Sequence, residues 1–156
     1  MTEPTAAPPA IHIRPLEPSD YDGWLPLWQG YNRFYERELP AAITATAWER
    51  FLDPSEPMHA LVAECDGAIV GIVHYLFHRS TSMVEPTCYL QDLFTVAAMR
   101  GHGVGRALIE AVCARAKEAG AGRVYWQTHE TNATAMKLYD KVADRSGFVV
   151  YRHLFG

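Results

Sequence analysis

Glycines at positions 101, 103 and 105, flanked by Arg100 and Arg106, are the residues of this 156-residue chain whose types and spacing first suggest chemistry. Glycine lets a backbone turn tightly and come close to a ligand. The N–H groups of Gly101, His102, Gly103, Val104 and Gly105 can therefore converge as an anion-binding nest, and the positive end of a following helix adds attraction. Arg100 and Arg106 supply fixed positive charge beside it. Phosphate or pyrophosphate suits such a segment, although the same spelling also serves as a plain strand-to-helix turn. A nucleotide-hydrolysing loop ends in Gly-Lys-Ser/Thr, whereas Gly105 is followed here by Arg106-Ala107. A dinucleotide fold wants its loop after the first strand and a third glycine where Arg106 stands, which speaks against a nicotinamide or flavin enzyme.

Other constellations are weaker. His74 and His78 lie on one strand face but roughly 13 Å apart, too far to share a metal, so no metal site is expected. Cys65, Cys88 and Cys113 are odd in number and scattered in apolar stretches, which reads as three reduced core residues. With 14 basic against 18 acidic side chains the net charge is -4, and this excludes bulk attraction to nucleic acid. Glu36, Glu38, Glu85, Asp92 and Glu130 point instead to a cationic substrate. No apolar run approaches the roughly 20 residues that span a bilayer, and a signal peptide is not evident, so a cytoplasmic protein without membrane association is expected.

The elements that must position these residues follow from periodicity. Residues 1–10 hold three prolines and read as a mobile tail, leaving one domain over 11–156. Ile11–Ile13 alternates as a strand. Ser19-Asp20 offers a cap for a helix carrying Trp24, Leu27, Trp28, Tyr31 and Phe34, with Pro26 as a point where it can kink. Thr44 to Leu52 is a second helix. Residues 59–64 and 68–78 are strands joined by the Asp66-Gly67 turn, and Cys88 to Val96 is a third that runs into the glycine loop. A helix begins at that loop with Leu108, Ala111, Val112 and Ala116 on its apolar stripe. Val124–Thr128 reads as a strand, Asn132 as the cap of a further helix, and Phe148–His153 as a last strand. The expected architecture is mixed α/β: a mostly antiparallel central sheet with helices on both faces.

With these elements in order, the sequence resembles the GCN5-related N-acetyltransferases, the GNAT family. Their signature Arg/Gln-x-x-Gly-x-Gly/Ala is matched by Arg100-Gly101-His102-Gly103-Val104-Gly105. Leu90–Val96 resembles the family's fourth strand, and Asn132–Tyr139 its Asn…Ala…Tyr helix. Residues 126–148 look most like the diamine and Hpa-like amine acetyltransferase branches.

The resemblance implies a splayed pair of fourth and fifth strands with the pantetheine arm of acetyl-CoA between them, along Leu93, Phe94 and Thr95. Core packing alone would also account for Leu93 and Phe94. Asn132, Ala135 and Met136 are implied as further cofactor contacts, with the helix cap as the alternative role for Asn132. Tyr139 is implied as the general acid that protonates the departing thiolate; a buried tyrosine with a satisfied hydroxyl is the structural alternative. The incoming amine must lose a proton, since a free alkylammonium resembles lysine with a pKa near 10.4. Diamine acetyltransferases carry a Glu-Asp pair on the fourth strand where this chain has Gln91-Asp92, which leaves Asp92, with His129 and Glu130, for base or water-relay work. The implied function is direct acetyl transfer from acetyl-CoA to a primary amine of a small molecule, in a homodimer. A protein lysine or N-terminal acetyltransferase and an inactive coenzyme A sensor are the alternatives.

Overall fold

The structure, a computed structural model, describes residues 10–156; the tail expected over 1–10 lies, Ala10 apart, outside the described residues. The chain divides into two compact units, Met1–Trp126 and Gln127–Gly156.

The first unit holds β1 (His12–Pro15), a 3-10 turn at Pro18–Asp20, α1 (Tyr21–Phe34), α2 (Ala41–Leu52), β2 (Met58–Cys65), β3 (Ala68–His78), β4 (Thr87–Thr95), a second 3-10 turn at Ala97–Met99, α3 (Val104–Glu118) and β5 (Arg123–Tyr125). The five strands form one sheet in sequence order, antiparallel except for the parallel β4–β5 pair. The expected architecture is present in this sheet. Asp66-Gly67 closes the β2–β3 hairpin as predicted, and α1 runs on through Pro26 to Phe34.

Both faces of β3 are covered by helices. On one face Ile72 joins Trp24, Leu27, Trp28 and Tyr31 of α1 in the core, with Trp48 and Phe51 of α2 packed against them. On the other face Gly71 meets α3: a Cβ there would stand 2.6 Å from Val104 Cγ1 and 3.0 Å from Leu108 Cδ1. Only the absence of a side chain lets α3 settle this close to the strand. Val104 is buried, so the start of α3, and the loop just before it, is pinned to the sheet. At the other end of the sheet Arg14 bridges Asp20 and Glu64, at 2.7 Å each, and ties β1 to the entry of α1 and to β2.

The second unit holds α4 (Ala133–Val142) and no strand. The strand expected at Phe148–His153 is not formed. A strand exists through its ladder, and within this unit no neighbour offers one. The apolar side chains are consequently left exposed, Phe148 at 90%, Tyr151 at 92% and Phe155 at 96%. The strand expected over Val124–Thr128 is also shorter, ending at Tyr125 because its pairing with β4 stops at Tyr89↔Tyr125. Of the three free cysteines, Cys65 and Cys88 are buried, but Cys113 lies on the exposed side of α3, which corrects the expectation of three core residues. Burial pushes the Cys88 thiol up to about 12, with Cys113 adding to the rise.

Candidate active site

Gly101 and Gly103 both adopt left-handed conformations, with φ of 81° and 80°, and a Cβ at either would meet no protein atom within 4 Å. The loop is therefore shaped by backbone conformation and not by crowding, and its concave side is open. Gly103 is the N-cap of α3, so the N–H groups of Val104, Gly105 and Arg106 belong to the first turn, which has no intrahelical acceptors to offer them. These donors, the helix dipole and the exposed Arg100 suit the phosphate end of an elongated ligand. Arg106 also pairs with Glu110 one turn on, at 3.0 Å, which offsets part of the charge the sequence assigns to it. His102 is exposed at the tip of the loop.

β4 leads straight into this loop. Its ladder with β5 has only three positions, Thr87↔Arg123 to Tyr89↔Tyr125, so among the described residues no strand pairs with its second edge from Leu90 to Thr95. The main chain of Leu93, Phe94 and Thr95 has no ladder partner on that side among the described residues, and their side chains are half-buried. The resemblance implies a splay of the two strands in this stretch. An amide-bearing chain ending in phosphate could pair with this edge and reach the loop, so the residues present fit coenzyme A.

In the second unit, Asn132, Ala135, Met136 and Tyr139 fall three or four residues apart and make one face of α4, half-buried where Ala133, Thr134, Lys137 and Asp140 are exposed. Asn132 sits at the N-cap position, but its side chain makes no capping bond; Nδ2 instead donates to Thr128 Oγ1 at 3.4 Å. The expected side-chain cap is thereby corrected: Asn132 Oδ1 accepts no N–H of the first turn, and the amide is held by the preceding loop through Nδ2. His129 is exposed and bonds Thr131 through Nδ1 at 2.7 Å, and Glu130 is exposed.

The first unit also contains a pocket of about 440 Å³ between α1, α2, β3 and β4, and Asp92 lies in its wall. The β3–β4 register runs His74↔Asp92 and then Tyr75↔Leu90, so two residues of β4 oppose one of β3 and Gln91 is the bulged residue. A bulge re-aims side chains; here Gln91 and Asp92 both line the pocket. Asp92 is 8% exposed and His74, its cross-strand partner, 3%. His74 Nδ1 stands 2.9 Å from Asp92 Oδ2, and the buried indole of Trp24 donates its Nε1–H to His74 Nε2 at 3.0 Å.

That last bond fixes the proton on the imidazole. Indole N–H is a donor only, so His74 Nε2 must accept and the ring carries its hydrogen on Nδ1, which donates to Asp92. The Tyr31 phenol also hydrogen-bonds Asp92; burial pushes its pKa up, and the carboxylate adds to the rise. His74 and Tyr31 thus both send donors toward one carboxylate, Trp24 holds His74 in place from its far side, and none of the three brings a formal charge. Asp92 is held as an oriented anion in the pocket wall, and His74 is a neutral positioning residue.

Sequence reasoning found Asp92 but missed its surroundings. The sequence pattern relates His74 only to His78, four residues along the same strand. In the structure His78 is exposed at the strand end, bonded to Tyr125 Oη at 2.7 Å, and among the described residues no group of His, Cys, Asp and Glu could hold a metal. Arg37 and Arg50, which belong to no motif of the sequence, line the pocket, whereas Glu36 and Glu38, from which a cationic substrate is expected, do not. The charged lining is Arg37, Arg50 and Asp92, so of the five acidic residues from which a cationic substrate is expected only Asp92 lines this pocket. The register His74↔Asp92 was the signal available, once the hairpin had been counted back from Asp66-Gly67.

Comparison with known proteins agrees with this geometry. Residues 22–143 match the Acetyltransferase (GNAT) family. The chain is 38% identical over 144 residues to the D-amino-acid N-acetyltransferase HPA3 of Saccharomyces cerevisiae, covering 91% of this chain and 89% of the yeast protein. It is 30% identical over 146 residues to the uncharacterized N-acetyltransferase YhfO of Bacillus subtilis, covering 90% and 95%. Among solved structures, AAC(6')-Iy in complex with the bisubstrate analog CoA-S-monomethyl-acetylneamine shares the fold with a TM-score of 0.79 at 17% identity, over 94% of this chain and 99% of that one. The chain belongs to the GNAT acetyltransferase family. It is an N-acetyltransferase acting on an amine-type acceptor, and the enzymes of this family use acetyl-CoA.

Proposed function

We propose that this protein transfers the acetyl group of acetyl-CoA directly to a primary amine of a small molecule, within one catalytic domain over residues 11–156. The observation that carries this reading is the pairing, in one sheet, of an open glycine loop and free β4 edge with a pocket whose wall holds an oriented carboxylate. Acetyl-CoA supplies the acetyl thioester. The main chain of Leu93, Phe94 and Thr95 holds its arm, and Gly101, His102, Gly103, Val104, Gly105 and the Arg106 N–H hold the phosphates, with the Arg100 guanidinium beside them. Asn132, Ala135 and Met136 line the face of α4 that the resemblance assigns to the cofactor.

In the transfer, the amine nitrogen bonds to the acetyl carbon as the carbon–sulfur bond breaks. The nitrogen gives up a proton toward Asp92, directly or through water, and the leaving sulfur gains one from the Tyr139 phenol. No cysteine is needed as an acyl carrier: Cys88 is buried with its thiol pushed away from ionisation. A protein acceptor would want an open, flat groove, and the pocket of about 440 Å³ favours a small molecule. In HPA3 the named acceptor is a D-amino acid, which is an amine of this size.

The reading extends to a homodimer in the cytoplasm. Its support is the exposed C-terminal run, where Phe148, Tyr151 and Phe155 are more than nine-tenths exposed and β-prone, as expected of a surface that a second copy covers. Light scattering at micromolar concentration tests the dimer, and a mass of 17.5 kDa would contradict it. The activity is tested by thiol release from acetyl-CoA against a panel of small amines and amino acids. Coenzyme A binding without acetylation of any of them would overturn it in favour of a sensor.

A further inference from the structure

The acceptor pocket carries both signs of charge, and the two are held differently. Asp92 receives hydrogen bonds from His74 and Tyr31, and neither partner carries a positive charge to cancel its own. Arg37 and Arg50 line the same pocket, and among the described residues neither has a carboxylate within ion-pair distance.

Arg37 is also fixed in place. Its Nε donates to Asn32 Oδ1 at 2.7 Å, while Asn32 Nδ2 donates to the Trp28 carbonyl at 2.9 Å, so a buried amide on α1 sets the plane of the guanidinium. Its Cζ lies 5.4 Å from the centre of the Tyr31 ring and 6.0 Å from that of Trp28. A guanidinium with its Nε occupied still presents its two Nη groups as a fork, which suits a carboxylate in two parallel hydrogen bonds. Tyr31 links the two poles: its hydroxyl bonds Asp92 and its ring lies against Arg37.

Granting the transferase reading above, we infer that Arg37, assisted by Arg50, is a carboxylate clamp, and that the acceptor is an α-amino acid whose carboxylate sits on the clamp and whose amino group sits beside Asp92. A preoriented arginine loses little freedom on binding, so its contribution is retained as affinity. Apolar side chains in the lining, among them Ile43, Phe51 and Met58, leave room for a variable acceptor side chain.

The test compares alanine, phenylalanine and lysine, each in both enantiomers, with the decarboxylated amine of each. Binding to the protein with coenzyme A present is read from tryptophan fluorescence, since Trp28 lines the pocket. For at least one amino acid, binding at least tenfold tighter than its decarboxylated amine is expected. Arg37→Gln should bring that ratio to within twofold, and Arg37→Lys should restore part of it. If either variant fails to fold, the wild-type ratio still decides: equal binding of amino acid and amine across the panel, or no binding of any, overturns the inference. Full preference in a folded Arg37→Gln overturns it too. Thiol release on the same panel separates the two readings. Equal turnover of amino acids and amines sinks the clamp and leaves the transferase standing, whereas preferential binding without thiol release does the reverse.

Discussion

The two halves of the site are built on different principles. The half proposed for the cofactor is almost all main chain: residues 90–106 supply a strand edge with no ladder partner among the described residues, two left-handed glycines and the first turn of α3. The half proposed for the acceptor is all side chain. Trp24 and Tyr31 come from α1, His74 from β3 and Asp92 from β4, and the Trp24–His74 bond spans 50 positions of sequence. Backbone recognition suits a ligand common to a whole family, because it survives most substitutions. Side-chain recognition can be retuned by single substitutions, and so suits the ligand that differs between relatives.

The comparison can be broken at four places, beginning with the largest effect. Tyr139→Phe keeps the ring but removes the proton donor, and general-acid loss costs about 10²- to 10⁴-fold in kcat, with acetyl-CoA and acceptor binding little changed. A folded variant within twofold of wild type would take Tyr139 out of the chemistry. Thermal melting of the same preparation distinguishes the alternative, a structural hydroxyl, for which about 1 kcal/mol of stability is lost and the rate is kept.

Asp92→Asn should lower turnover by about 10²-fold, on the scale of a lost proton acceptor, and should raise the acceptor KM while acetyl-CoA affinity holds. An equal loss of acetyl-CoA affinity would show that the halves are not separable. Gly103→Val acts on the other half. A β-branched residue at φ 80° is strained by about 1–3 kcal/mol and projects into the open cradle, so acetyl-CoA should bind on the order of tenfold more weakly while acceptor affinity, read with the fluorescence assay, stays within twofold.

The smallest effect on activity is expected at Asp20, far from either ligand. Arg14 holds its carboxyl below the usual carboxylate range, with the Glu17 N–H helping. A lowered folded-state pKa contributes stability that is complete above about pH 4, the unfolded value, and is lost as pH falls through the folded one. Asp20→Asn should therefore be less stable at neutral pH, with kcat/KM unchanged, and its melting temperature should converge on that of wild type as the pH falls below the usual carboxylate range. A gap that persists undiminished in acid would assign the effect to something other than this ion pair.

The same contrast explains what could be read in the sequence. The glycine loop, the strand before it and the Asn132–Tyr139 face are local patterns whose meaning lies within a few turns of chain, so they were visible without coordinates. The β2–β3 hairpin was visible for the same reason. The acceptor half was not, because its geometry depends on a bulge at Gln91 and on a cross-strand pair, and a one-residue shift of register would have turned Asp92 away from His74. Arg37 was hidden more deeply: its significance comes from Asn32, five residues away, whose amide turns inward from a helix face. The expected strand at Phe148–His153 failed in the opposite direction. Its residues are β-prone, but propensity does not supply the neighbour that a ladder requires.

The central claim is that these two halves serve one reaction, acetyl transfer from acetyl-CoA to the amine of a small molecule. Its most direct test is to incubate the wild-type protein with acetyl-CoA and each amine or amino acid of the panel, quantifying released thiol and acetylated product together. The account predicts thiol and N-acetyl product in equal amounts for at least one small acceptor, and neither above background when the acceptor is omitted. Tight acetyl-CoA binding with no N-acetylated small molecule from any acceptor would contradict it.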